Sequence, residues 1–172
     1  MDGATTGAGT GGRTCPGCGG AVADVEGPVH PSMPAAPGCW AVFAGLSDWL
    51  SVVGGADPTT AQQAVDAYAV QHGTDPGRRG RQSVAVHLMS LAAGLERAVP
   101  GERLRTLLGH WTHRDYPRLL PVPTGYDLTV LDVAPTPVEG RVDAVAAWAA
   151  ASWAAWRAHH ATVRAWLDER LG

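Results

Sequence analysis

The three cysteines of the chain are Cys15, Cys18 and Cys39, and the first two form the motif Cys-Pro-Gly-Cys. Zinc in proteins prefers four tetrahedral thiolate or imidazole ligands, and a C-x2-C pair often supplies two of them from one knuckle. Gly17, Gly19 and Gly20 permit the turn that a knuckle requires. Cys39 follows Pro37 in the first turn of a predicted helix, where the helix dipole favours the thiolate.

His30 lies between these cysteines in the segment Pro-Val-His-Pro, which completes the spacing C-x2-C-x11-H-x8-C. We therefore predict a structural zinc site formed by Cys15, Cys18, His30 and Cys39. A metal would also explain how the Pro- and Gly-rich segment 15–37 stays folded. Three alternatives remain open: Cys15 and Cys18 are a redox pair, Cys39 is a core residue, or another histidine reaches across and replaces His30.

A second group of candidates comes from helical periodicity, because three predicted helices each place one histidine on an apolar stripe. The three are His72, on a stripe with Ala61, Val65 and Tyr68; His87, beside Leu88 and Leu91; and His160, beside Trp156 and Val163. Buried imidazoles need polar partners, and a shared metal ion is one partner that facing helices can supply. The pattern thus predicts that the three side chains converge.

Such a cluster of three histidines has three interpretations. It is a second divalent-metal site with an open position, a polar or catalytic pocket without metal, or three independent core histidines. In a catalytic site, His72, His87 and His160 would act with Tyr68 and Gln71 as neighbouring or substrate-facing groups, and His87 or His160 could serve as general base.

Helix start and stop signals define the elements that must position these residues. Helices are predicted from Pro37 to the Gly54-Gly55 pair, from Pro58 to about His72, over Gln82–Ala98 and over Glu102–Trp111. One long helix or two nearly collinear ones are predicted over Val138–Leu171. The segment DLTVLDV forms one helical turn or a short strand. The expected fold is all-α, a four- to five-helix bundle, with residues 1–14 a disordered lead-in and 15–172 one domain, divided into a zinc-binding segment (15–39) and the bundle (40–172).

Composition limits the classes of function. The chain has 172 residues and a net charge of −3, without a basic stripe, which gives no support for nucleic-acid binding. No membrane span or signal peptide is recognisable, so a cytoplasmic location is expected.

All 13 basic residues are Arg, and Lys, Ile and Asn are absent, as a GC-rich genome would produce. A homodimer is one expectation from the four Trp residues of the last helical stretch.

Several motifs together resemble a family of small bacterial proteins that is a domain of unknown function. They are CPGCG, PVHPSMPAAPGCWAVF, VDAYAVQH, QSVAVHLMSLAAGLE and HHATVRAWL, and they cover about residues 15–167. The predicted bundle with three histidines is also similar in architecture to the DinB/YfiT-type metal-dependent thiol transferases. Those proteins usually place two ligands one helical turn apart, whereas Trp156 stands one turn before His160.

Two hypotheses about function follow. The first is a zinc-binding enzyme that uses the His-lined core for group transfer or hydrolysis on a small molecule. The second is a non-enzymatic adaptor or binding protein in which zinc is purely structural.

Overall fold

The computed structural model of the protein describes residues 12–31, 33–53, 57–116 and 118–171. Two short strands, β1 (Gly12–Thr14) and β2 (Ala21–Ala23), precede seven α-helices in this part of the chain. The helices are α1 (Pro37–Val53), α2 (Pro58–Gln71), α3 (Arg78–Arg97), α4 (Gly101–Trp111), α5 (Val130–Val133), α6 (Arg141–Ala155) and α7 (His160–Leu171). The predicted all-α class is confirmed, with more helices than the four or five expected.

The N-terminal strands form an antiparallel hairpin in which Gly12 pairs with Ala23 and Thr14 with Ala21. The predicted lead-in therefore ends earlier than residue 14: residues 12–14 are ordered because the Cys15–Gly20 turn brings β2 alongside them. The prediction for residues 1–11 lies outside the described residues. Val22, on β2, is buried and packs with the cysteines and α1.

Helix α2 begins and ends where its sequence predicts. Asp57 caps it, because its carboxylate accepts the N–H of Thr59 at 3.0 Å, and Pro58 occupies the first turn. The helix ends at His72, and Gly73 follows at a close approach to α3, where an added Cβ would lie 2.1 Å from Val84 Cγ2. These signals place His72 at the C-terminal end of the helix.

Helix α2 is also the centre of the fold, since α1, α3, α4 and α6 all pack against it. Ala64, Ala67 and Tyr68 face the N-terminal part of the core, and Val70 faces the part built by α3 and α7. The helix is therefore buried on more than one face, and the single stripe predicted from periodicity is incomplete. Val65, a member of that stripe, is 40% exposed, whereas Asp66 is buried.

The remaining helices differ from prediction at their ends. Helix α3 begins at Arg78, four residues before the predicted Gln82, and is followed by Ala98 in the left-handed conformation (φ 51°). The DLTVLDV segment forms the single turn α5, capped by Thr129. The last helical stretch is two helices, since a 3-10 turn at Arg157–His159 separates α6 from α7. Within the described ranges, no helix has both the length and the apolar character to cross a membrane.

Candidate metal centre

The Cys15–Gly20 turn of the hairpin holds two sulfurs in a buried position. The N–H of Cys15 donates to Gly20 O at 2.9 Å, and the N–H of Gly19 donates to Cys15 O at 3.0 Å. Gly19 has a φ of 77°, a conformation that side-chain-bearing residues rarely adopt. The knuckle expected from Cys-Pro-Gly-Cys-Gly is therefore present, and Cys15 and Cys18 are 1% and 5% exposed.

The third sulfur comes from the first turn of α1. Cys39 is completely buried, and its Sγ lies 3.9 Å from Cys18 Sγ, too far for a disulfide. The preceding Gly38 allows α1 to approach the hairpin, because an added Cβ would lie 2.6 Å from Ala23 O. The structure thus brings together all three cysteines that the spacing selects.

The fourth donor is His72, at the end of α2. Its Nε2 lies 3.4 Å from Cys15 Sγ and 3.5 Å from Cys39 Sγ. Its Nδ1 lies 2.7 Å from Tyr68 O, and because a carbonyl can only accept, Nδ1 carries the proton. In its neutral form the ring would therefore present the Nε2 lone pair to the sulfurs, which is the tautomer that a metal ligand requires.

The spacing of the four donors is compatible with a tetrahedral metal site. They lie within 4.8 Å of one another, and all four residues are buried. Zn–S bonds of about 2.3 Å and a Zn–N bond of about 2.0 Å give ideal S···S and S···N edges of about 3.8 and 3.5 Å. The three contacts above, at 3.9, 3.4 and 3.5 Å, match those edges. Cys15, Cys18, Cys39 and His72 could therefore hold a metal ion.

Charge in the cluster is shared between thiols and imidazole. Contacts from the Cys18 and Cys39 thiols hold the pKa of Cys15 below its ordinary value, whereas hydrogen bonds from Cys15 and Cys18 raise the pKa of Cys39. Burial alone would lower the pKa of His72, but hydrogen bonds to Cys15 and Cys18 and to the Tyr68 carbonyl raise it to about 9. Without a metal, the site thus holds at least one thiolate beside a protonated imidazole.

Tyr68 supports the cluster from α2. Its ring stacks on His72 at 3.9 Å and on Phe43 at 3.9 Å, which fixes the imidazole plane. Its hydroxyl donates to Cys39 Sγ at 3.7 Å, and burial raises its pKa, so that the hydroxyl stays protonated. Tyr68 therefore acts as a positioning residue for the ligands. The sequence analysis predicted a neighbouring role for Tyr68, but next to the cluster of three histidines.

His30 does not join the cysteines. Its ring packs against Trp40, with 5.5 Å between the ring centroids. The fourth donor of the group is His72, whereas the spacing predicted His30 for that role. The difference arises because a ligand supplied by a distant helix leaves no mark in local spacing: His72 lies 33 residues after Cys39. Its position on the same stripe as Tyr68 was the signal that it is buried.

The predicted convergence of His72, His87 and His160 is not found. His87 Nδ1 donates to Asp66 Oδ1 at 2.7 Å, on α2. The His160 ring stacks on Trp153 at 3.7 Å, and its Nε2 donates to Trp153 O at 2.9 Å. Among the described residues these three histidines therefore form no shared metal site, and each imidazole has its own separate partner in the protein.

Gln71 is buried but takes no part in the cluster. Its Nε2 donates to Leu128 O at 2.7 Å and to Ser152 Oγ at 3.0 Å. Gln71 therefore links α2 to the segment just before α5 and to α6. The residue missed by the sequence analysis is Asp66, whose buried carboxylate binds His87. Its i, i+4 spacing with Gln62 on α2 was a sequence signal for a polar network.

The fold and the cluster define an all-α protein with a buried Cys3His group of metal-binding type. The chain belongs to a family of unknown function (DUF5946), whose family profile matches residues 13–157. The resemblance to a domain of unknown function is thereby confirmed. Searches of curated proteins and of solved structures each found no match.

Proposed function

We propose that Cys15, Cys18, Cys39 and His72 bind one zinc ion, and that this zinc is structural. The observation that carries the proposal is the set of four soft or borderline donors, all buried and within 4.8 Å of one another, three of whose distances have the edge lengths of a zinc tetrahedron. Zinc suits a set of three thiolates and one imidazole better than magnesium or calcium, which prefer oxygen ligands.

Burial and ligand number argue against a catalytic role for this ion. A catalytic zinc keeps one position for water or substrate, whereas structural sites use four protein ligands. The exposed fraction of the four residues does not exceed 5%, so a substrate has no route to the ion without opening the hairpin. The adaptor or binding-protein hypothesis therefore suits this centre better than the metalloenzyme hypothesis.

The ion would join three elements of the N-terminal part of the fold. The ligands come from the hairpin turn, the start of α1 and the end of α2. The segment between β2 and α1 contains no regular secondary structure in its described part, and prolines keep it from forming any. Zinc would hold this segment and α1 on the bundle, as in small domains whose metal binding is coupled to folding.

Zinc content in paired variants tests the proposal. The full chain, purified without chelator, should carry one zinc per molecule. His72→Gln should lower zinc retention during dialysis against a chelator, because it removes a ligand. His30→Gln is the matched control and should retain zinc as the unmodified chain does. Loss of zinc in His30→Gln with retention in His72→Gln, or a metal-free native protein of unchanged stability, would refute the proposal.

A further inference from the structure

Asp66 is a buried carboxylate near the middle of α2, away from the metal centre. Its Oδ1 accepts from Gln62 Nε2 at 2.8 Å and from His87 Nδ1 at 2.7 Å, and its Oδ2 accepts from Ser90 Oγ at 2.5 Å. The side chain is 1% exposed. An ionised carboxylate in such a place costs several kcal/mol unless it is paired and hydrogen-bonded. These three donors meet that requirement and fix both oxygens.

The consequence for His87 is a defined orientation and tautomer. Because the carboxylate accepts, Nδ1 carries the proton and the lone pair of the neutral ring is on Nε2. The side chain is 18% exposed, and within residues 12–31, 33–53, 57–116 and 118–171 no group bonds to Nε2. The imidazole is therefore held from within the protein, with one nitrogen left for an external partner.

Three other histidines, His72, His159 and His160, differ in this respect. His72 uses Nδ1 for the Tyr68 carbonyl and Nε2 for the sulfurs. Nε2 of His159 and of His160 contacts the carbonyls of Pro121 and Trp153, respectively. In this group, His87 alone combines a carboxylate partner with a ring nitrogen that has no protein partner among the described residues.

We propose that His87, held by Asp66, is a reactive imidazole that accepts acyl groups at Nε2 from small activated esters or thioesters. A buried carboxylate that binds Nδ1–H orients the ring and stabilises the positive charge that develops when Nε2 forms a bond. This inference is independent of the zinc proposal, since neither residue belongs to the Cys3His group.

The reaction balances without a further reagent except water. The Nε2 lone pair attacks the acyl carbon, a bond forms between them, and the alkoxide or thiolate leaves with the electron pair of the broken bond. The acylated ring is positively charged, and the Asp66 carboxylate faces its Nδ1–H. Water then attacks the acyl carbon, the carboxylic acid departs, and the proton released is taken up by the alkoxide or thiolate, so that the neutral imidazole with its lone pair on Nε2 is restored.

The test uses the zinc-loaded full chain and p-nitrophenyl acetate as probe. The measured quantity is the second-order rate of p-nitrophenolate release. His87→Gln should lower this rate about tenfold or more, the scale of a positioned imidazole. The matched control is His110→Gln, because His110 lies exposed on α4, and it should leave the rate within a factor of about two. Both variants should keep full zinc content.

Asp66→Asn separates a positioning role from a purely structural one. The amide retains the shape and can still accept from Nδ1, but it lacks the negative charge. The rate should fall in a folded, zinc-loaded sample, because the positive charge that develops on the ring loses its carboxylate partner, whereas Asp66→Glu, which keeps the charge, should retain more of the rate. If Asp66→Asn fails to fold, His87→Gln still decides the matter. An unchanged rate in His87→Gln, or an acetyl group trapped mainly on another residue by mass spectrometry, would overturn the proposal.

Discussion

The ring of His72 lies directly against the backbone of Gly17, so closely that an added Cβ would fall 2.3 Å from His72 Cδ2. The same Cβ would lie 2.8 Å from Pro34 O. The glycine inside the Cys-Pro-Gly-Cys knuckle is thus required for two reasons. It leaves room for an imidazole that arrives from another helix, and it leaves room for the carbonyl of Pro34.

Gly17→Ala should therefore weaken zinc binding. The His72 ring cannot yield, because Tyr68 stacks on it and the Tyr68 carbonyl fixes Nδ1. We expect a loss of about 1–3 kcal/mol in the free energy of unfolding, as for overpacking elsewhere. The measurement is chemical denaturation with zinc present, alongside a chelator competition assay. Gly45→Ala on α1 is the control, since nothing lies within 4 Å of its added Cβ, and it should be neutral or slightly stabilising. Equal behaviour of the two variants would contradict the packing argument.

Removal of zinc should loosen one part of the molecule before the rest. Hydrogen exchange should increase first in β1, β2 and the start of α1, which the metal ligands connect to α2. The α3–α7 core, built around Leu88, Trp156 and Leu167, should stay protected because it has no ligand. Mass-spectrometric exchange with and without chelator measures this difference. Uniform loss of protection would mean that the metal stabilises the whole fold cooperatively.

Zinc affinity should fall as the pH falls, since thiols and imidazole must lose protons to become ligands. In the metal-free site the raised pKa of His72, about 9, keeps the imidazole protonated at neutral pH, and Cys39 also retains its proton. Binding at pH 7 should therefore release about two protons or more. Calorimetry in buffers of different ionisation enthalpy counts these protons. Release of no protons would show that the ligands are already ionised without metal.

His160→Leu should affect stability but not zinc content. The substitution removes the hydrogen bond to Trp153 O and the stacking on the Trp153 ring, which stabilise the junction of α6 and α7. Each contact contributes about 1 kcal/mol, so the free energy of unfolding should fall by about 1–2 kcal/mol. Thermal unfolding and zinc analysis of the same sample check both parts. A loss of zinc would restore the idea that His160 belongs to a metal site.

The local sequence determined the knuckle and the helices that carry the ligands. Cys15 and Cys18 lie close together in any compact fold because only two residues separate them, and Pro58 and Gly73 bound α2 through backbone effects that act within one turn. These features depend on neighbouring residues alone. They could therefore be predicted without knowledge of the fold.

The tertiary structure decided which histidine meets the sulfurs and which face of α2 is buried. His72 replaces His30 because the end of α2 packs against the hairpin, a contact between residues far apart in sequence. Asp66 is buried and Val65 is exposed because α2 is surrounded by several helices, so that one apolar stripe does not describe its environment. Periodicity reports how apolar one face of a helix is, but only the packed neighbours determine which polar group on that helix finds a partner inside.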